Sequence, residues 1–146
     1  MEILNYVLIA TLVSTGLILG RVLANIAKEE IKPGKKYLII LQKLLFCSAI
    51  ILLMYLNKTN VHYIWIGALV IFVYLYYYKK ISPEIVYAVL GLVFYLSVKT
   101  EYFLIASSLI FLYGLPSGTL LKDKKKIALN LLLFLVVAVG LFLLLK

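Results

Sequence analysis

Charge is scarce in this chain. Charged residues make up 14% of 146 residues, and only six are acidic, whereas an average soluble domain is about 25% charged. No Asp or Glu falls near the middle of a long apolar stretch. That removes the carboxylate a proton-coupled pump or an intramembrane aspartyl protease needs. The six acidic residues are scattered, so they offer no cluster to hold a metal for phosphate chemistry. His62 is the only histidine and Cys47 the only cysteine. One histidine excludes most zinc, haem and di-iron designs, and one cysteine excludes an intrachain disulfide. Walker loops, H-E-x-x-H and G-x-S-x-G are missing too. No metal, cofactor or catalytic residue is expected, and the chain reads as a non-enzyme.

What is present is apolar. Hydrophobic residues reach 65% and mean hydropathy is +1.10. A soluble fold of this size would have to expose large apolar patches and would aggregate, so the class is integral membrane. The net charge is +9. In a soluble protein that would point to nucleic acid; here it is explained by lysines in short loops at a membrane surface, and nucleic acid is not expected as a partner.

A hydrocarbon core of about 30 Å needs about 20 helical residues. The runs are continuously apolar, not alternating, which favours helices over a β-barrel. The expected architecture is an all-α polytopic transmembrane helix bundle, one domain with six helices in up-down order. The spans are residues 3–27, 37–56, 61–78, 82–98, 102–121 and 127–145. Short loops make antiparallel neighbours. Ser82-Pro83-Glu84 reads as an N-cap, a first-turn proline and a carboxylate at the positive helix end. For spans 4 and 5 the alternative is a shallow pair that does not cross fully, which gives a four- or five-span arrangement. Only Ile85–Val98 is uninterrupted in span 4, and Tyr113-Gly-Leu-Pro-Ser-Gly118 breaks span 5, since proline removes a backbone donor. The first span lacks a basic n-region and a cleavage site, so it is expected to stay as a permanent span.

Orientation follows from basic residues. Arg21, Lys28, Lys32, Lys35, Lys36, Lys43, Lys79, Lys80, Lys122, Lys124, Lys125 and Lys126 fall on one side; Lys58, Lys99 and Lys146 fall on the other. The positive-inside rule places both termini outside and loops 28–36, 79–81 and 122–126 in the cytoplasm. Tyr37, Tyr76, Tyr77 and Tyr78 would form the inner aromatic belt. Tyr6, Tyr55, Tyr63, Trp65 and Tyr102 would form the outer one.

Few residues invite a specific role. Gly16, Gly20 and Ala24 recur every four positions, a pattern that lets helix backbones approach closely. They are read as internal packing against span 2 or 6, with a homodimer seam as the alternative. Arg21 and Lys43 lie inside apolar runs, where an ionisable side chain is a functional candidate. Either they snorkel to the headgroups, or they line a cytoplasmic-side cavity for an anionic lipid or phosphate, with Gln42 and Asn25 nearby. Pro33-Gly34 is expected to reverse the chain within Lys28–Lys36. The turn reads first as a solvated hairpin with weak surface ion pairs; in the alternative its lysines, Lys35 and Lys36 among them, sit against anionic headgroups. Thr11, Ser14, Thr15, Ser107, Ser108 and Asn130 can bond across helices or back to their own backbone.

The run Ala24-Asn-Ile-Ala-Lys-Glu-Glu-Ile-Lys-Pro-Gly-Lys-Lys-Tyr37, after a first span rich in small residues, resembles a set of small multi-pass archaeal membrane proteins of unassigned function. The resemblance covers the first hairpin and implies a prokaryotic plasma membrane location. It brings no catalytic residues with it.

The leading expectation is a membrane-embedded binding or scaffold component with a basic cytoplasmic face. Membrane lipids would be partners, together with a second copy or another membrane protein. A small transporter or channel subunit acting as an oligomer is the alternative, and a lipid-phosphate-handling enzyme using Arg21 and Lys43 is a third.

Overall fold

The computed structural model describes residues 2–56, 61–78, 80–121 and 123–144. Among these the chain is all-helical: α1 (Ile3–Ile26), α2 (Lys28–Leu56), α3 (Val61–Tyr77), α4 (Pro83–Ser97), α5 (Phe103–Leu120) and α6 (Lys124–Leu144). The connection expected at 57–60, the end of span 6 at Leu145, and the side chains of Lys58, Tyr63, Lys79, Lys122 and Lys146 lie outside the described residues.

Among the described residues there are six helices, of which α1, α2, α5 and α6 are long and apolar enough to cross a membrane. The 17 residues of α3 and the 15 of α4 rise only about 26 Å and about 23 Å, short of the full hydrocarbon core. The short pair expected from the sequence is spans 4 and 5; the short helices are α3 and α4. Helix α5 runs unbroken through Pro116.

The largest departure is at the first connection. Residues 28–36 are not a turn. The chain bends at Ala27 (φ −103°, ψ 42°), and α2 starts at once with Glu29 and Glu30 in its first turn. Two carboxylates there meet the positive end of the helix dipole. Pro33 removes only the hydrogen bond to the Glu29 carbonyl, and α2 continues past it. No glycine has positive φ, so Gly34 makes no reversal. Nor do α1 and α2 pair as a hairpin: they scarcely touch, and each packs instead on α5.

Among the described residues the α1–α5 pairing is the most extensive. Gly16 and Gly20 lie against the Phe111 and Leu115 carbonyls. Gly114 and Gly118 lie against the α1 backbone at Gly16, Leu17 and Gly20. The small residues of span 1 therefore form an internal seam, as expected, but against α5 and not against span 2 or 6. Ala24 is buried in line with them. The Gly114-Leu-Pro-Ser-Gly118 stretch that looks like an interruption is the complementary small-residue face. Because Gly16 meets Phe111 and Gly20 meets Leu115, the two helices run in the same direction.

Helix α6 packs mainly on α4, where Gly91 brings the backbones close at Phe134. An aromatic cluster of Tyr6, Phe94, Phe103, Phe134 and Phe142 fills the space between α1, α4, α5 and α6. Tyr6 is fully buried and donates to the Ala138 carbonyl at 2.8 Å, so it is a core residue and not part of an aromatic belt. Trp65, Tyr37 and Tyr76 are 72–75% exposed, as belt residues should be. Leu4, Leu8 and Leu12 on α1, with Leu132 and Val136 on α6, form exposed apolar stripes that need lipid beside them.

The start of α6 also differs from expectation. Residues 124–126 are helical, not a loop. Asp123 caps them by accepting from the Lys125 N–H at 2.9 Å, satisfying an otherwise orphan donor. Ser82, Pro83 and Glu84 occupy the expected N-cap and first-turn places, although the Ser82 hydroxyl makes no cap bond.

Candidate functional site

A repeat of three or four residues along α2 places Lys35, Ile39 and Gln42 on one face, running from exposed Lys35 through half-buried Ile39 to buried Gln42. The same spacing places Tyr74 and Tyr78 on one face of α3 and its C-terminal turn. On α5 it does so for Tyr113 and Ser117. Together with the start of α4 these side chains line a half-open chamber of about 320 Å³, within the range of small-molecule sites. Its remaining wall is apolar: Ile81, Pro83, Val86, Leu120 and Leu121.

Gln42 organises the polar side. Its Oε1 accepts from the Tyr78 hydroxyl at 2.7 Å, and its Nε2 donates to the Tyr113 hydroxyl at 2.9 Å. The amide is thus fixed between two helices. Beside it are hydroxyls that find no such partner. Tyr74 (3% exposed) and Ser117 (1% exposed) both line the chamber, and neither Tyr74 OH nor Ser117 Oγ makes a hydrogen bond of acceptable geometry. Tyr74 lies close to Tyr113, and Ser117 close to Tyr87, but not in bonding geometry. The Tyr87 hydroxyl is likewise buried and unpaired. Leaving a buried polar group unpaired costs about 1–3 kcal/mol, so the region behind the chamber wall carries unmet hydrogen-bonding capacity.

The residues singled out from the sequence divide. Lys35 and Gln42 come together in the chamber. Lys43 does not reach it. Its ammonium stands 4.5 Å from the centroid of the Tyr78 ring, a cation–π contact, in a groove of about 510 Å³ shared with Tyr76, Tyr77 and Lys80. This groove meets the chamber at Ile39 and Tyr78. Arg21 points elsewhere: its Nη1 donates to the Leu121 carbonyl at 3.2 Å. That places a cation at the negative end of α5. Its Nε is buried without a partner. Arg21 and Lys43 therefore do not converge, as a shared phosphate site would require. Lys36 and Asn25 are exposed.

Thr11, Ser14, Thr15, Ser107 and Ser108 all bond back to carbonyls of their own helices. Asn130 does neither of the things expected of it; it is fully buried with both amide atoms unpaired. A small cavity of about 10 Å³ touches Ser14 and Tyr87, room for about one water. Among the described residues no group of His, Cys, Asp or Glu could hold a metal ion.

Sequence reasoning missed Tyr74, Tyr113 and Ser117, and it read Tyr78 only as a belt residue. The signal that reveals them is the spacing: Tyr74 with Tyr78, and Tyr113 with Ser117, each share a helix face. No family model, curated protein or solved structure matches the chain.

Proposed function

We propose that this protein is a membrane-embedded, non-enzymatic binding component that takes a molecule with an anionic group into the chamber at its basic end. The observation that carries the reading is the pair of buried, unpaired hydroxyls on Tyr74 and Ser117, two residues of the wall of a cavity that Lys35 also lines. Once the two side chains turn toward the cavity, a ligand oxygen would accept from both hydroxyls, and the ammonium would offset its charge.

The location is the plasma membrane, crossed several times, with the basic end in the cytoplasm and both termini outside. Supporting this, one end of the bundle gathers Arg21 with Leu121, and Lys35 with Tyr78 and Pro83. Lys80 lies on the short link to α4, and Lys124–Lys126 open α6 directly after α5. Such a concentration of basic groups is the mark of a cytoplasmic face. Membrane lipids are natural partners of that face.

A transporter or channel subunit is the second reading. It is favoured by the small cavity at Ser14, which adjoins Tyr87 and so lies just beyond Ser117. At about 10 Å³ it is no passage, so transport would need an oligomer or a second conformation. The enzyme reading loses its support, because Arg21 and Lys43 are turned to different partners.

Native mass spectrometry of the intact protein released from mild detergent tests the proposal. Wild type should carry a bound non-detergent mass that Tyr74→Phe with Ser117→Ala, or Lys35→Met, loses. Wild type that remains ligand-free after challenge with anionic lipids and soluble phosphate esters would refute it.

A further inference from the structure

The chamber does not end at its own wall. Tyr74, Ile81 and Val86 also line an apolar groove of about 190 Å³. Val70 and Val73 of α3 form one bank of this groove, and Ile85 and Val89 of α4 the other. The groove exists because α3 leans on α2 and makes no comparable contact with α4. A polar chamber with a basic residue therefore opens sideways into an apolar cleft between two short helices.

We infer that the chamber's occupant is a membrane lipid with an anionic headgroup, its head on Tyr74, Gln42 and Ser117 and its acyl chain leaving through the α3–α4 groove. The inference rests on the chamber being a binding site, as proposed above. The chemistry separates a lipid from a free anion. A free phosphate would face Ile81, Pro83, Val86, Leu120 and Leu121 with, among the described residues, one cation on the wall, Lys35, and a free dianion set against that apolar wall is poorly compensated. A lipid places its chain against those apolar groups and leaves only the headgroup to be satisfied. Lys43 and Lys80, in the groove that joins the chamber at Tyr78, complement its charge from the rim. Moving an acyl chain from bilayer to protein brings little hydrophobic gain. Selectivity therefore comes from the headgroup contacts, and the groove's role is to give access without the chain leaving the membrane.

The test uses the full-length protein in mild detergent and native mass spectrometry with three probes: phosphatidylglycerol, phosphatidylcholine of the same chains, and water-soluble glycerol phosphate. Wild type should hold phosphatidylglycerol at least tenfold more tightly than phosphatidylcholine. Val89→Trp fills the groove without touching the chamber and should weaken that lipid at least tenfold. Equal binding of glycerol phosphate and lipid, unaffected by Val89→Trp, would overturn the lipid while leaving an anion-binding chamber. Equal retention of both lipids, unaffected by Tyr74→Phe, would mean annular lipid only and would also overturn it. No binding of any probe would remove the chamber's role as well. Should Val89→Trp not fold, wild type with a phosphatidylglycerol carrying a photoreactive acyl chain decides. Label within residues 69–89 is expected, and label spread over the exposed faces of α1 and α6 overturns the assignment.

Discussion

Gly20 of α1 lies against the carbonyl of Leu115 in α5, so closely that no Cβ fits between them. Gly118 stands in the same relation to Leu17 from the other side. Between helices in lipid there is little hydrophobic driving force, and association depends on close packing and polar contacts. The obstructing atoms here are backbone, which cannot move aside as a side-chain tip can. Gly20→Leu and Gly118→Leu should therefore each destabilise the bundle by about 1–3 kcal/mol or more. Denaturant titration in micelles would measure it. Gly140→Leu, where an added Cβ meets nothing within 4 Å, is the control and should stay near wild type.

Gln42 bridges Tyr78 and Tyr113, and its contribution can be isolated. Gln42→Met keeps the length and removes both bonds. A double-mutant cycle with Tyr113→Phe should give a coupling of about 0.6–1.7 kcal/mol, the range for polar contacts between membrane helices. A coupling of zero would show that the amide is not held as described, and with it the chamber's polar floor would lose its organising residue.

Tyr74 and Ser117 make the opposite prediction. Their hydroxyls are buried and unpaired, so removing them relieves a cost of about 1–3 kcal/mol per group. Tyr74→Phe and Ser117→Ala should each raise thermal stability of ligand-free protein. The same variants should weaken ligand retention. Stability gained where binding is lost is the signature of a site kept for function; variants that lose both would make these residues ordinary core.

Much of this was legible in the residues, and the failures have physical causes. Continuous apolar runs with few charges announce helices in lipid, and Ser82-Pro83-Glu84 marks the start of α4 correctly. Gly16, Gly20 and Ala24 announce a close approach but not its partner. A spacing of four is a property of one helix, whereas the partner is chosen by tertiary packing. Gly114 and Gly118 carried the matching signal, obscured by Pro116 between them. Pro33-Gly34 misled because turn propensity is local. The Glu29 and Glu30 carboxylates at the helix start, and α5 packed against α2, outweigh it. The chamber was half visible: Lys35 and Gln42 are read from one helix, but Tyr74, Tyr113 and Ser117 matter only through where α3 and α5 bring them.

Membrane orientation can be checked with single cysteines in a Cys47→Ser background. Lys36 lies at the basic end and Glu101 on the connection before α5, and both are exposed. A membrane-impermeant maleimide should label Glu101→Cys in intact cells and Lys36→Cys only after permeabilisation. Labelling of both from outside would overturn the alternate threading of the helices and with it the cytoplasmic placement of the chamber.

The start of α2 offers a test in which two readings predict opposite signs. In a turn built on Pro33-Gly34, glycine would occupy a left-handed conformation and Gly34→Ala would be strained. In the structure Gly34 is helical, has no positive φ, and an added Cβ meets nothing within 4 Å. Gly34→Ala should then stabilise by about 0.5–1 kcal/mol, the ordinary helix-propensity difference. Pro33→Ala should add to it by restoring an N–H for the Glu29 carbonyl. Thermal unfolding and far-ultraviolet circular dichroism in micelles would read both effects, and amide exchange at residues 30–36 would localise them. If Gly34→Ala destabilises and these amides exchange freely, α2 does not begin at Lys28. Lys35 would then be a loop lysine, not a wall residue of the chamber, and the headgroup site would lose its nearest positive charge.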